Sequence, residues 1–243
     1  MSMRATRRIG VIEAEGSRRP SHLPFLVSEV VVLAPALALA VIVRQHPGPL
    51  PADVGLEVDV QKALLGRGAL TQGLEAISTL NWPIPTAITL AVIVLVFLLL
   101  RRWLDAIVPP VAAIVSSVVT FGLSKWVHRP RPLGHGVHPL QHITSTYSFP
   151  SGHVTYAVAV FGLFLFLTSQ IRRPIHPALI WLIRAILVLV ILLMPVSRLL
   201  EAEHWPSDVL AGVLNGLFWL IIFAHLYLFA RSRWPRLLAR DER

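Results

Sequence analysis

The apolar residues of this chain gather into blocks of about twenty, the length a helix needs to cross the hydrocarbon core of a bilayer. In lipid, every backbone N–H and C=O must be satisfied within the segment, so spans of this composition fold as helices. Six can be drawn, at roughly Leu23–Val43, Ile84–Leu100, Ala106–Leu123, His153–Gln170, Leu179–Val196 and Ser207–Ala230. The composition agrees: the 243 residues are 55% hydrophobic and only 14% charged, where a soluble domain carries about 25% charged residues. The expected fold is an all-α polytopic membrane protein, with six transmembrane helices in a bundle and short interfacial helices. One domain over 23–230 suffices, flanked by basic tails at 1–22 and 231–243. The block from Leu23 to Val43 is too long for the apolar core of a cleaved signal peptide and reads as a retained signal anchor.

The formal charge is +9. A basic balance of this kind accompanies nucleic-acid binding in soluble proteins. In a membrane protein it reflects the collection of Arg and Lys in cytoplasmic segments, so no nucleic-acid partner is expected. With the N-terminus placed in the cytoplasm, 14 Arg and Lys fall inside and seven outside. The bias predicts that both termini are cytoplasmic, in a cell inner or plasma membrane. The chain has no cysteine, which excludes disulfides, thiolate chemistry and Cys-ligated metal.

Between the first two spans, Val60, Leu64, Leu70, Leu74 and Ile77 recur at roughly helical intervals. They predict short amphipathic helices at the interface, acting as a connector.

Three polar segments lie at span ends, and an even number of spans brings them to one membrane face. They are Lys125-Trp-Val-His-Arg129-Pro-Arg131-Pro132, then Pro150-Ser151-Gly152-His153, then Ser197-Arg198 through Glu201, Glu203 and His204 to Asp208. Cations at such depth are costly without an anionic partner. Arginine forks match phosphate oxygens. Ser151 and Gly152 sit where a span begins, and a helix N-terminus offers free N–H groups and a positive dipole end. His204 and Asp208 are four apart, so on a helix the carboxylate could hold one imidazole nitrogen and leave the other as a nucleophile. Pro206, tolerated only in a first turn, makes that shared face approximate. His153 remains for acid–base work.

These segments resemble the signature of the type 2 phosphatidic acid phosphatase superfamily, K-x6-R-P, P-S-G-H and S-R-x5-H-x3-D, which shares its site pattern with vanadium haloperoxidases. The second and third parts match residue for residue. In the first, the family's lysine position falls on Ser124 and Lys125 lies one residue closer to Arg131, a turn of about 100° on a helix. The resemblance implies a phosphatase that needs no metal or other cofactor. His204 would attack phosphorus to give a phosphohistidine, Asp208 would orient it, and His153 would protonate the leaving oxygen and then activate water. Lys125, Arg131, Ser151, Gly152 and Arg198 would hold the phosphoryl oxygens on the non-cytoplasmic face, with Arg129 an outer or structural cation. The implied partner is a lipid phosphate in the bilayer: undecaprenyl pyrophosphate first, then phosphatidylglycerol phosphate or phosphatidic acid. A homodimer stays open. The rivals are a phosphotransferase that uses the same intermediate, a soluble haloperoxidase, which the six spans disfavour, and a non-catalytic lipid-binding protein.

Other polar residues have plainer readings. Arg101, Arg102, Arg172 and Arg173 read as headgroup anchors. His135, His138 and His142 could form a metal site, but no carboxylate joins them within their loop, and a lid over headgroups is the preferred reading. Glu201 and Glu203 either tune local charge or face water. Asn215, His225 and Arg184 are assigned to helix–helix hydrogen bonding or interfacial placement.

Overall fold

The computed structural model describes residues 23–140, 147–171 and 175–234. Among them the protein is all-α, with one isolated bridge between Pro130 and Tyr147. The helices are α1 (Leu23–Gln45), α2 (Asp53–Leu64), α3 (Ala69–Thr79), α4 (Pro83–Leu99), α5 (Trp103–Val127), α6 (Gly152–Tyr156), α7 (Gly162–Ser169), α8 (Pro177–Leu200) and α9 (Pro206–Arg233). A π-helical turn, Ala157–Phe161, joins α6 to α7 in one 18-residue run. Five runs are long and apolar enough to cross a membrane: α1, α5, α6–α7, α8 and α9. The sixth expected span coincides with α4, whose 17 residues pass that test only with α3, across a 71° bend at Leu80–Trp82. Pro83 at the first position of α4 starts a new helix there rather than continuing α3. Arg172 and Arg173 lie outside the described residues.

The helix α9 is the hub, packing on α1, α5, α6 and the π turn. Two glycines make the closest approach possible. A Cβ at Gly216 would stand 2.6 Å from Val158 Cβ and 2.9 Å from Thr155 O, and one at Gly212 would stand 2.8 Å from Ser151 O. This is the small-xxx-small solution for bringing membrane helices together. It lays the Pro150–His153 segment directly against the start of α9.

The connector forms two helices as expected, and in α2 the apolar positions Val60 and Leu64 are half-buried beside a polar stripe that is buried more deeply. Its buried residues are Asp53, Glu57 and Gln61, a polar stripe at i, i+4 and i+8, while Leu56 is 51% exposed. The reason is what α2 faces: the Arg129 guanidinium, Ser207 and the backbone of His138 and Leu200. In α3, Leu74 is buried as the periodicity requires, and Ser78 joins it.

At the opposite end of the bundle, Arg102 is not the headgroup anchor expected of it. It is 5% exposed and donates to Asp105 (2.8 Å), Gln170 O (3.0 Å) and Tyr227 Oη (3.3 Å), because the turn into α5 points it at α9 rather than at the interface. The assignments to helix–helix bonding fit better. Asn215 donates to Thr120, Arg184 to Thr168, and His225 meets Glu29 of α1 at 3.0 Å.

Gly216→Ala forces Val158 and the Thr155 carbonyl away from α9. Overpacking of this kind costs roughly 1–3 kcal/mol, so the detergent-purified variant should unfold at a lower temperature than the parent. An unchanged Tm would contradict the contact.

Candidate active site

The site is assembled where four chain segments end. The helix α5 stops at His128, whose left-handed backbone (φ 59) turns the chain sharply away from the helix axis. Arg129 then pairs with Ser148, which donates its N–H to Arg129 O at 2.9 Å. Beyond Ser148 the chain enters α6, and Ser151 N–H donates to Asp208 O at 3.1 Å. On the other side, α8 ends at Leu200 and Ala202 takes a positive φ of 52, so His204 comes forward just before α9 begins.

His153, His204, Lys125, Arg131 and Gly152 line one cavity of about 390 Å³. The one-residue shift in the first motif does not take Lys125 out of reach. The helix α5 stays regular to Val127, and both Ser124 and Lys125 reach the cavity wall. The Lys125 ammonium lies 5.4 Å from the ring centroids of Phe121 and of Tyr147.

His204 is 4% exposed, and its Nδ1 is 2.7 Å from the Ser148 carbonyl. A carbonyl oxygen can only accept, so the proton sits on Nδ1 and Nε2 keeps its lone pair. Burial holds the His204 pKa well below the ordinary imidazole value. Arg131, Arg198 and His153 push it the same way, and the Ser148 bond opposes them. The ring is therefore neutral near pH 7, the state in which Nε2 is a nucleophile.

The partner of Nδ1 corrects the expectation that Asp208 orients His204. Asp208 is the third residue of α9, and its Oδ2 accepts from the Trp205 N–H (3.0 Å), capping the helix. Its Oδ1 accepts from Arg129 at 2.6 Å. With Pro206 opening the helix, His204 lies outside it, so the four-residue spacing does not put the two side chains on a shared face. Asp208 acts on His204 at one remove, by fixing Arg129 and the turn through Trp205.

Arg129 fits the structural half of its expected role and not the outer half, since it is fully buried. It spans Asp208, Asp53 (2.6 Å), Ser207 Oγ (2.7 Å) and Gly48 O (2.9 Å). Ser151 and Arg198 stand behind the cavity wall rather than on it. Ser151 Oγ is buried with no hydrogen-bond partner among the described residues. Arg198 is 1% exposed; its Nη1 meets Ser78 Oγ and Glu201 (2.5 Å), and its Nη2 is 2.5 Å from Glu203. Glu203 also pairs with Arg131 at 3.1 Å and accepts from it through its backbone carbonyl at 2.6 Å. The two glutamates thus tune the cations rather than face water, and burial raises Glu201 to about 7 against the opposing pull of Arg198 and Ser78. No group of three or more His, Asp or Glu suited to a metal occurs among the described residues. In the 132–140 loop, His135 packs on the Trp205 ring, and Gln61 holds both the N–H and the C=O of His138. His142 lies outside the described residues.

Sequence reasoning missed Asp53, Glu57, Gln61, Ser78 and Ser148. The first three carried a signal, a polar i, i+4, i+8 stripe in an otherwise mixed helix. Ser148 carried none, because it works through its carbonyl.

The membrane bundle thus closes two histidines, a lysine and an arginine round one cavity, a lining whose charge suits an anion. The model of the PAP2 superfamily matches residues 106–232, just over half of the sequence, and the chain belongs to that superfamily, whose phosphatases hydrolyse lipid phosphates. It is similar to lipid A 1-phosphatases of Rhizobium johnstonii (34% identical over 95 residues, 36% of this chain and 34% of that one) and Rhizobium etli (33% over 95 residues, 36% of each). The match thus spans about a third of the length of these relatives. Among solved structures, a PAP2-type phosphatidylglycerolphosphate phosphatase from Bacillus subtilis shares the fold, with a TM-score of 0.67 at 23% identity over 82% of this chain and 95% of that one. Aquifex aeolicus LpxE shares it with a TM-score of 0.55 at 22% identity, over 72% and 96%.

Glu57 gives this site a measurable pH signature. It is 0% exposed, neither carboxyl oxygen has a hydrogen-bond partner among the described residues, and burial beside Asp208 and Asp53 pushes it up to about 9 from 4.5. Between those values the folded state keeps a proton the unfolded state has released, so the group's contribution to stability falls as pH rises. Glu57→Gln keeps a neutral side chain of the same shape. Its Tm should exceed the parent's at pH 8 and the gain should shrink at pH 5; a gain independent of pH would contradict a buried protonated acid.

Proposed function

We propose that the chain is a lipid phosphatase in which His204 Nε2 attacks phosphorus and His153 serves the leaving oxygen. The observation that carries this is the His204 ring: neutral, anchored through Nδ1 to Ser148, and sharing a cavity with His153, Lys125 and Arg131. In this reading His153 meets the phosphate dianion as the imidazolium, the form that an adjacent anion favours. As the N–P bond forms, the P–O bond to the leaving group breaks, and His153 gives its proton to the departing oxygen. Lys125 and Arg131 hold the non-bridging oxygens as charge develops on them. His153, now neutral, takes a proton from water, which attacks phosphorus and returns the electron pair to His204 Nε2.

The site lies on the non-cytoplasmic face with both termini inside, a reading supported by the two-to-one excess of Arg and Lys on the opposite side. The catalytic domain is residues 23–230. The substrate is an amphiphile whose phosphate rests at headgroup depth. Undecaprenyl pyrophosphate, phosphatidylglycerol phosphate and phosphatidic acid fit that description, and similarity to the Rhizobium lipid A 1-phosphatases adds lipid A.

The test is phosphate release from a panel of these lipids by the full-length protein, with a chelator present. His204→Ala should lose at least about a thousandfold in turnover, the scale of removing a nucleophile, while extracting as a folded protein. Turnover within tenfold of the parent would overturn the assignment.

A further inference from the structure

The catalytic cavity continues past the histidines into the bundle, and its deeper wall is not apolar. Tyr156 follows His153 by one helical turn and lines the same cavity. It is 3% exposed, and its hydroxyl has no hydrogen-bond partner among the described residues. A buried hydroxyl left unmade is costly, so its position in the wall points to a ligand group.

Thr120 lies opposite, on α5, five residues and about 7 Å deeper than Lys125 along the helix axis. The Asn215 amide fixes how it is used. Asn215 Nδ2 donates to Thr120 Oγ1 at 2.9 Å and to Thr155 Oγ1 at 3.3 Å. Thr155 passes its own proton to Gly212 O. Among the described residues Thr120 Oγ1 donates to no acceptor, so its proton is available to the cavity it lines. Ser117 and Asn81 add two further polar groups to the same wall.

We propose that Tyr156 and Thr120 form a leaving-group subsite, hydrogen-bonding oxygen atoms on the first ring or glycerol unit beyond the phosphate ester. This rests on the phosphatase reading above. With phosphorus at the histidines, the atoms that follow it toward the bilayer centre pass this wall. A glycosyl or glyceryl leaving group presents oxygens there. A prenyl group presents only hydrocarbon and leaves both hydroxyls unpaired. The subsite therefore selects oxygenated lipid phosphates over prenyl phosphates.

The test compares kcat/KM for lipid A bearing a 1-phosphate, phosphatidic acid and undecaprenyl monophosphate, whose leaving group carries no oxygen beyond the ester, using the full-length protein in mixed micelles. The parent should favour at least one of the two oxygenated lipids over the prenyl lipid. Tyr156→Phe should lower kcat/KM for that lipid by about tenfold, the size of one lost hydrogen bond, and leave the prenyl lipid within about twofold. Which of the two oxygenated lipids falls identifies a glycosyl or a glyceryl group as the one recognised. Thr120→Val repeats the comparison at the other side of the cavity, so the subsite is tested even if Tyr156→Phe does not fold. A parent that prefers the prenyl lipid, or variants that lower all three equally or none, overturns the subsite while leaving the phosphatase reading standing. A parent that releases phosphate from none of these lipids, nor from phosphatidylglycerol phosphate or undecaprenyl pyrophosphate, overturns the phosphatase reading, and the subsite with it.

Discussion

One buried guanidinium sets the frame of this protein. Arg129 comes from the loop after α5, Asp208 from the first turn of α9, and Asp53 from the first turn of α2, and the arginine joins both carboxylates at 2.6 Å. All three side chains are almost wholly out of contact with solvent. Desolvating such a cluster offsets most of its Coulomb attraction, so its main contribution is geometric: it admits one arrangement of three chain segments and penalises the rest. Asp53 extends the effect by accepting from Ser207 N–H (2.9 Å) and Ser207 Oγ (2.7 Å), which caps α9 from a different helix.

The position of His204 follows from that frame. Arg129 is held by its side chain, so its backbone is fixed, and its carbonyl receives the Ser148 N–H. Ser148 in turn presents its carbonyl to His204 Nδ1. His204 is thus oriented by backbone, and the Asp208 carboxylate belongs to the scaffold behind it. The second cationic centre, Arg198, is arranged in the same manner by Ser78 of α3 and by Glu201 and Glu203. The connector helices therefore hold the site together, although they lie outside the three motifs.

The spans and the motifs were legible because both are written in local pattern. Apolar blocks located α1, α4, α5, α6–α7, α8 and α9 to within a few residues, and Lys125, Arg131, Gly152, His153 and His204 were named from spacing and do share a cavity. What escaped depended on tertiary partners. The deepest stripe of α2 is polar because Arg129 and Ser207 lie on the other side of it, so apolar periodicity gave no sign of it. Arg102 looked like an anchor because nothing in its own segment announces Tyr227, far along the chain. The supposed His204–Asp208 bond failed because the helix begins after His204, and a four-residue spacing carries meaning only inside a helix.

The central claim is that phosphorus passes through a covalent bond to His204 on its way to water. The stereochemical course at phosphorus tests this most directly, using a lipid thiophosphate made chiral with oxygen isotopes. Two successive in-line displacements, first by His204 Nε2 and then by water, predict net retention of configuration. Net inversion would mean a single direct attack by water and would contradict the account.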